Sequence, residues 1–341
     1  MKKALFIGGT GTISSAITAL VSKNPDWQLY LLNRGNRKNE VPEGVTNLIA
    51  DIDDENTVRE LLGDLQFDVV CDFIAFVPAQ VERDIRLFGG RTRQYIFISS
   101  ASAYRKPLAS PFITESTTLA NPFWQYSRDK IACEELLLRH YRENGFPFTV
   151  VRPSHTYCER GVPVAVSGKN GCWQVLKRML EGKAVIIPGD GTSLWTITHN
   201  SDFAKAFVGL MGNPKAIGEV FQLTSDEHPT WNQIYLAIAE ALGVKLNAYH
   251  VSSDFLASVG KQYELSENLL GDKAHTVIFD NAKLKRAVPD FVPTVRYDQG
   301  LRKTVEYMLA HPELQVEDPE FDEWCDRVIN ALEQARTSLA L

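Results

Sequence analysis

The stretch NPFWQYSRDKIACEELLL holds two side chains suited to proton transfer, Tyr126 and Lys130. Four positions apart on a helix, they project from one face. An ammonium beside a phenol stabilises the phenolate, so the spacing predicts a Tyr126 pKa lowered from about 10 toward neutrality. A phenol so tuned takes a proton from a hydroxyl or returns one to a carbonyl. The same spacing also describes an ordinary surface pair, so its surroundings matter. The apolar run FISSASAY (97–104) ends in Ser99, Ser100 and Ser102. Hydroxyls at the carboxyl end of a buried strand lie where open α/β sheets take ligands, and one of them can hold a reacting oxygen beside the tyrosine. Serines are also turn formers. The combination points to chemistry on a hydroxyl or keto group.

Such chemistry needs a hydride carrier, and GGTGTIS (8–14), after the apolar run ALFI, has the composition to cradle one. Gly8 and Gly11 stand where a strand turns into a helix, so backbone N–H groups can approach a pyrophosphate at the helix N-terminus. Thr12 and Ile13 complete the loop, and Ser14 occupies the usual third glycine position. The next strand ends LLNRGN. An Asp or Glu there would grip the 2′-hydroxyl of NAD, whereas Arg34 suits the 2′-phosphate of NADP. NADP is the expected cofactor, with NAD the alternative; a solvated loop arginine is the plainer account of Arg34. Asp51 and Ile52, after the third strand, are expected beside the adenine, although Asp51 would serve equally as a helix N-cap.

These residues need a sheet to position them. Apolar runs at 2–8, 28–33, 45–51, 68–75, 94–100 and 148–154 read as strands buried on both faces of a parallel sheet. Helical stretches at 12–23, 79–89 and 126–145 alternate with them, and Gly145 is a plausible stop. Strand and helix in alternation predict a doubly wound α/β fold with a parallel Rossmann sheet. The expected division is a dinucleotide-binding domain over 1–157, completed by 196–225, and a smaller interleaved α/β substrate lobe over 158–195 and 226–341. Within these, EVFQLTS (219–225) rejoins the sheet, and helices are expected at 172–181, 231–242 and 319–337.

Composition bounds the rest. The 341 residues are 44% hydrophobic, enough for a large core, and the formal charge of −6 gives no electrostatic case for nucleic acid or an anionic membrane. Five scattered cysteines without a C-x-x-C pair read as reduced thiols, and the seven histidines lack metal-ligand spacing. No metal is expected. No run approaches the roughly 18 apolar residues of a membrane helix, and the basic start MKKALFIGG has too short an apolar stretch for a signal peptide. A cytoplasmic protein with a small-molecule substrate is the expectation.

Glycine loop, strand-end serines, Y-x-x-x-K and the following VVRPSHTY together resemble the extended short-chain dehydrogenases/reductases, the branch of NAD(P)-dependent sugar epimerases, dehydratases and reductases. IPGDGTSLWTITHNSDFAKAFVGLM and VIFDNAKLKR are similar to its later segments. The resemblance implies Ser100 as the catalytic serine, Tyr126 as general acid/base and Lys130 as its activator, reaching the nicotinamide ribose. It implies Ser102 as an auxiliary substrate contact, Ala75 and Phe76 near the ribose, and Pro153 and Ser154 against the nicotinamide. A homodimer through helices including that of Tyr126 is also implied. The NRG after the second strand resembles a subgroup that includes chloroplast stem-loop-binding proteins.

Departures narrow the activity. Sugar dehydratases of the branch carry an Asp–Glu pair where this chain has Ala101 and Ser102, which argues against 4,6-dehydration. Nucleotide-sugar epimerases carry an arginine for the diphosphate where this chain has Trp195. An indole stacks on a sugar face or packs in the second lobe, and Lys169, Lys177 or Arg178 would have to replace the missing cation. His155, in place of the usual Asn, is expected at the substrate or as a structural residue; His199 is assigned to packing. The expected function is an NAD(P)-dependent oxidoreductase or epimerase on a sugar-like hydroxyl or keto group. The alternatives are an NADPH-dependent reductase of a non-sugar carbonyl and a non-catalytic cofactor-sensing or RNA-associated protein.

Overall fold

Seven apolar runs assemble into one wholly parallel sheet in the computed structural model, which describes residues 1–36 and 41–340. Its strands are β1 (Lys2–Ile7), β2 (Trp27–Asn33), β3 (Thr46–Ile49), β4 (Val69–Asp72), β5 (Tyr95–Ile98), β7 (Phe148–Pro153) and β11 (Glu219–Leu223). Every residue of β4, β5 and β7 is buried, as a sheet covered on both faces requires. Alternate residues serve opposite layers. Ala4 and Phe6 pack with α1 (Ser14–Ser22) and α6 (Asn200–Leu210), while Leu5 and Ile7 pack with α2 (Glu55–Leu62), α3 (Pro78–Phe88) and α4 (Gln125–Asn144). The order β11-β7-β5-β4-β1-β2-β3 reverses between β1 and β4, and a crevice opens outside their carboxyl ends.

The strands and helices expected in the first half are present within a few residues, and α4 closes at Gly145 with φ +69°. EVFQLTS does rejoin the sheet, as edge strand β11 beside β7. Asp51 is not a helix cap. The helix begins later, and Asp54 caps it by accepting from Thr57 N–H, while Asp51 accepts from Asp53 N–H.

A separate core gathers α5 (Trp173–Leu180), α7 (Trp231–Leu242), α10 (Tyr297–Ala310) and α11 (Pro319–Leu339). Short parallel pairs stitch this lobe: β6 (Phe112–Ile113) with β13 (Ile278–Phe279), β8 (His155–Tyr157) with β10 (Ile197–His199), and β9 (Val185–Pro188) with β12 (Ala248–Val251). Helices α8 (Ser253–Val259) and α9 (Ala282–Ala287) complete the list, with a π-helical segment at Ser266–Lys273. Among the described residues no helix is long and apolar enough to cross a membrane.

Candidate active site

The loop after β1 is built by its glycines and one serine. Gly8 has φ +80°, and a Cβ there would lie 2.5 Å from Ile74 Cγ2; one on Gly9 would lie 2.6 Å from Leu31 Cδ2. At Gly8 the positive φ and the close Ile74 methyl both favour a residue without Cβ. Ser14 is more than a small substitute for a third glycine. Its buried hydroxyl donates to Gly8 C=O and accepts from Gly11 N–H, both at 2.8 Å, so it fastens the loop to the start of α1.

Two cavities meet at this loop. One, about 480 Å³, is lined by Gly8, Gly11, Thr12 and Ile13 together with Ser100, Ser102, Tyr126, Lys130, Pro153, Ser154 and His155. The other, about 510 Å³, lies on the β2 side and is lined by Arg34, Asp51, Ile52 and Phe76. Asn33 shapes its rim. The Asn33 carboxamide accepts from Gly35 N–H and donates to Asn47, which leaves Arg34 exposed at the cavity edge. Gly8, Gly11, Ile74 and Phe76 border both cavities. A two-part molecule with a central pyrophosphate fits this plan, with its halves in the two chambers and its charge at the glycine loop. The exposed apolar side chains Ile74 and Phe76 at the junction are the kind of surface a bound ring covers.

Ser100, Tyr126 and Lys130 converge on the first cavity from β5 and α4. Lys130 is buried, and its ammonium donates to Ala75 C=O and Ile98 C=O at 2.7 Å each. The rings of Phe76 and Phe97 lie 4.6 and 4.7 Å from it, and that of Tyr126 5.7 Å. Burial pulls its pKa down to about 8, against the opposing pull of Cys133, Asp72 and Glu134. Ala75, expected near a ribose, is thus the backbone acceptor that aims the lysine. Its own N–H is held by Asp72.

Tyr126 corrects the expectation of a lowered pKa. In the protein itself burial raises it, and hydrogen bonding with Ser100 opposes the rise. The phenol is therefore a proton donor at neutral pH. The serines form a hydrogen-bonded chain. Ser127 Oγ donates to Ser102 Oγ at 2.7 Å, and Ser102 Oγ meets Ser100 Oγ at 2.9 Å, with Ser102 N–H also donating to Ser100 Oγ. A hydroxyl has one proton. When Ser102's proton turns toward Ser100, Ser100 can turn its own toward Tyr126 or a ligand oxygen. Ser99 serves elsewhere, in a buried contact to Glu134, which pairs with Arg152.

Not every expected contact reaches the cavity. Trp195 is 2% exposed and stacks on Trp231 at 5.5 Å, so its indole packs in the second lobe instead of facing a sugar ring. Arg178 is spent on Asp322 and Asp326 of α11, and Lys177 on Glu317. Neither these nor Lys169 lines the two cavities. His155 does line the first cavity, and burial with nearby Lys273 pushes its pKa down to about 3, so it is neutral. His199 packs edge-on against Tyr157. Sequence reasoning missed Asn268, Asp272 and Lys273, which enter the cavity from the π-helical segment. All five cysteines are free.

The model of the "NAD dependent epimerase/dehydratase family" matches residues 4–223. Among curated proteins the chain is 27% identical over 256 residues to the chloroplast stem-loop binding protein of 41 kDa b of Arabidopsis thaliana, covering 71% of this chain and 64% of that one. It is 25% identical over 330 residues to a UDP-N-acetyl-alpha-D-glucosaminuronate decarboxylase of Bacillus cytotoxicus, covering 90% and 97%. Among solved structures, UDP-glucuronic acid 4-epimerase from Bacillus cereus, in complex with UDP-glucuronic acid and NAD, superposes with a TM-score of 0.71 at 20% identity. That match covers 90% of this chain and 99% of the epimerase.

Proposed function

This chain belongs to the NAD dependent epimerase/dehydratase family, and from that premise we propose that it is an NAD(P)-dependent oxidoreductase or epimerase acting on a hydroxyl or keto group of a sugar-like substrate. The observation that carries the reading is the convergence of Ser100, Tyr126 and Lys130 on a cavity that begins at the glycine loop. Ser100 and Tyr126 grip the reacting oxygen, each through a hydroxyl proton. Tyr126 gives its proton to that oxygen in reduction, and the phenolate so formed takes one back in oxidation. The dinucleotide supplies hydride exchange at the adjoining carbon. The glycine loop would hold its pyrophosphate, Pro153 and Ser154 its nicotinamide end, and Asp51 and Ile52 its adenine end. Ala101 and Ser102 line the cavity where a dehydratase would need two carboxyl groups, so dehydration is not part of the proposal. The intact triad and the net charge of −6 favour an enzyme over a stem-loop-binding role. We take it to be cytoplasmic from its scattered thiols and, on the family resemblance alone, a homodimer.

The test is made on freshly purified protein, by denaturing it and identifying any released nucleotide by mass spectrometry and absorbance. Retained oxidised dinucleotide supports internal hydride recycling, as in epimerisation. A site that exchanges NADPH freely supports net reduction, and screening then starts with ketones and aldehydes. A protein that neither carries nor binds either dinucleotide overturns the reading.

NADP is the proposed cofactor. Arg34 lines the adenosine-side cavity, and Asp53, a carboxylate there, is engaged by Arg83 at 2.6 Å. Arg34→Ala is expected to weaken NADPH binding by about tenfold, the scale of one charge-assisted hydrogen bond, with little change for NADH. Fluorescence titration of both reduced dinucleotides checks it; equal losses would remove the case for NADP.

A further inference from the structure

An annexe of about 330 Å³ adjoins the cavity that holds Ser100 and Tyr126. The two share Thr12, His155, Thr156 and Lys273 in their walls. Among the described residues its lining includes Lys273 and Arg160, the latter engaged elsewhere, and no carboxylate, in a chain of net charge −6. Lys273 stands at the junction. Among the described residues no carboxylate lies within ion-pair distance of its ammonium, because its neighbour Asp272 turns to Lys106, 3.9 Å away.

The lysine is held in place by several contacts. Trp231 Nε1–H donates to Lys273 C=O at 3.0 Å, and Trp195 stacks behind Trp231. The Asn121 carboxamide donates to Gly271 C=O and Ser102 C=O, at 2.7 and 2.8 Å, so the π-helical segment is tied to the serine loop. The backbone that carries Lys273 is thus tied to the serine loop. A cation lining a partly buried cavity without a direct ion pair loses hydration that an anionic ligand offsets. Burial lowers the Lys273 pKa, and the attraction of Asp272 opposes it only in part.

We propose that Lys273 is a specificity-determining residue: it anchors a carboxylate or phosphate group of the substrate in the annexe while the reacting hydroxyl or keto group sits at Ser100 and Tyr126. The inference rests on the oxidoreductase reading and gives that site a substrate class, a hydroxy or keto compound with one anionic group. It also accounts for Trp195. The position without a cation packs behind the tryptophan that fixes Lys273.

The test is equilibrium binding of three probes that share one sugar ring, D-glucose, D-glucuronate and D-glucose 6-phosphate, to the full-length protein by calorimetry. The wild type is expected to bind at least one anionic probe ten or more times more tightly than glucose, and which one it prefers separates carboxylate from phosphate. Lys273→Met is expected to lose that preference with dinucleotide affinity unchanged, and Lys273→Arg to keep most of it. Should Lys273→Met not hold its fold, Lys273→Gln repeats the comparison, and inorganic phosphate must compete with the anionic probe in the wild type. A wild type without anion preference, or a folded Met or Gln variant that retains it, overturns the proposal. Because no turnover is measured, the anion preference and the hydride-transfer reading can fail independently.

Discussion

Tyr126→Phe is expected to lower kcat by a factor on the order of 10²–10⁴, the usual contribution of a positioned acid/base, while dinucleotide affinity is unchanged. The phenol ring lies beside Trp124, with ring centroids 4.9 Å apart, and beside Phe76 at 6.4 Å. Phenylalanine preserves both contacts and removes only the hydroxyl. Ser100 keeps its bonds to Ser102, so the oxygen-binding half of the site survives. The fall should therefore appear in kcat, with KM and cofactor titration near wild type. Steady-state kinetics on a substrate found by screening, alongside fluorescence titration, reads both quantities. Unchanged turnover would remove Tyr126 from the chemistry.

Lys130→Met is expected to abolish activity by a comparable factor while moving stability much less. Burial holds the Lys130 pKa at about 8 instead of 10.5. Keeping the ammonium charged inside the fold at neutral pH thus costs about 3 kcal/mol. Methionine relieves that cost but leaves Ala75 C=O and Ile98 C=O unpaired, at about 1–3 kcal/mol each. The two effects oppose each other. The pH dependence separates them. Between pH 8 and 10.5 the unfolded chain still binds the proton that the folded chain has released, so Lys130 makes stability rise with pH across that window. The variant should lose this part of the rise. Urea midpoints at pH 7 and pH 9.5 for both proteins measure it. Wild-type kcat/KM is expected to fall above about pH 8 as the ammonium disappears, and identical pH–stability curves would show that Lys130 is not the buried titrating group described here.

Much of the fold was legible because the signals were local. β4, β5 and β7 are buried on both faces, so their sequences are continuously apolar; the 2-residue period of the strands and the Gly145 stop of α4 follow from backbone geometry alone. Helix α6 was read only as a family-like segment, although its apolar residues pack against α1. The π-helical segment SENLLGDK gave no periodic signal, since its polar residues line a cavity and do not form one buried stripe.

The site divides in the same way. The chain order alone determined which residue types could do the chemistry: the Tyr126–Lys130 spacing, the strand-end serines, the glycine turn and Arg34 are each encoded within a few positions. Only the tertiary structure decided their electrostatics and neighbours. Burial sets the pKa directions of Tyr126 and Lys130, and it depends on Phe76 and Phe97 from other strands' ends. Of its two expected places Trp195 takes the packing one, against Trp231, 36 positions on, and Arg178 is spent on α11, 144 positions on at Asp322. Lys273 reached the cavity from a segment more than 140 residues after Tyr126. Periodicity and spacing act through neighbouring bonds, whereas desolvation and ion pairing act through space, and which distant residues share that space is known only once the chain has packed.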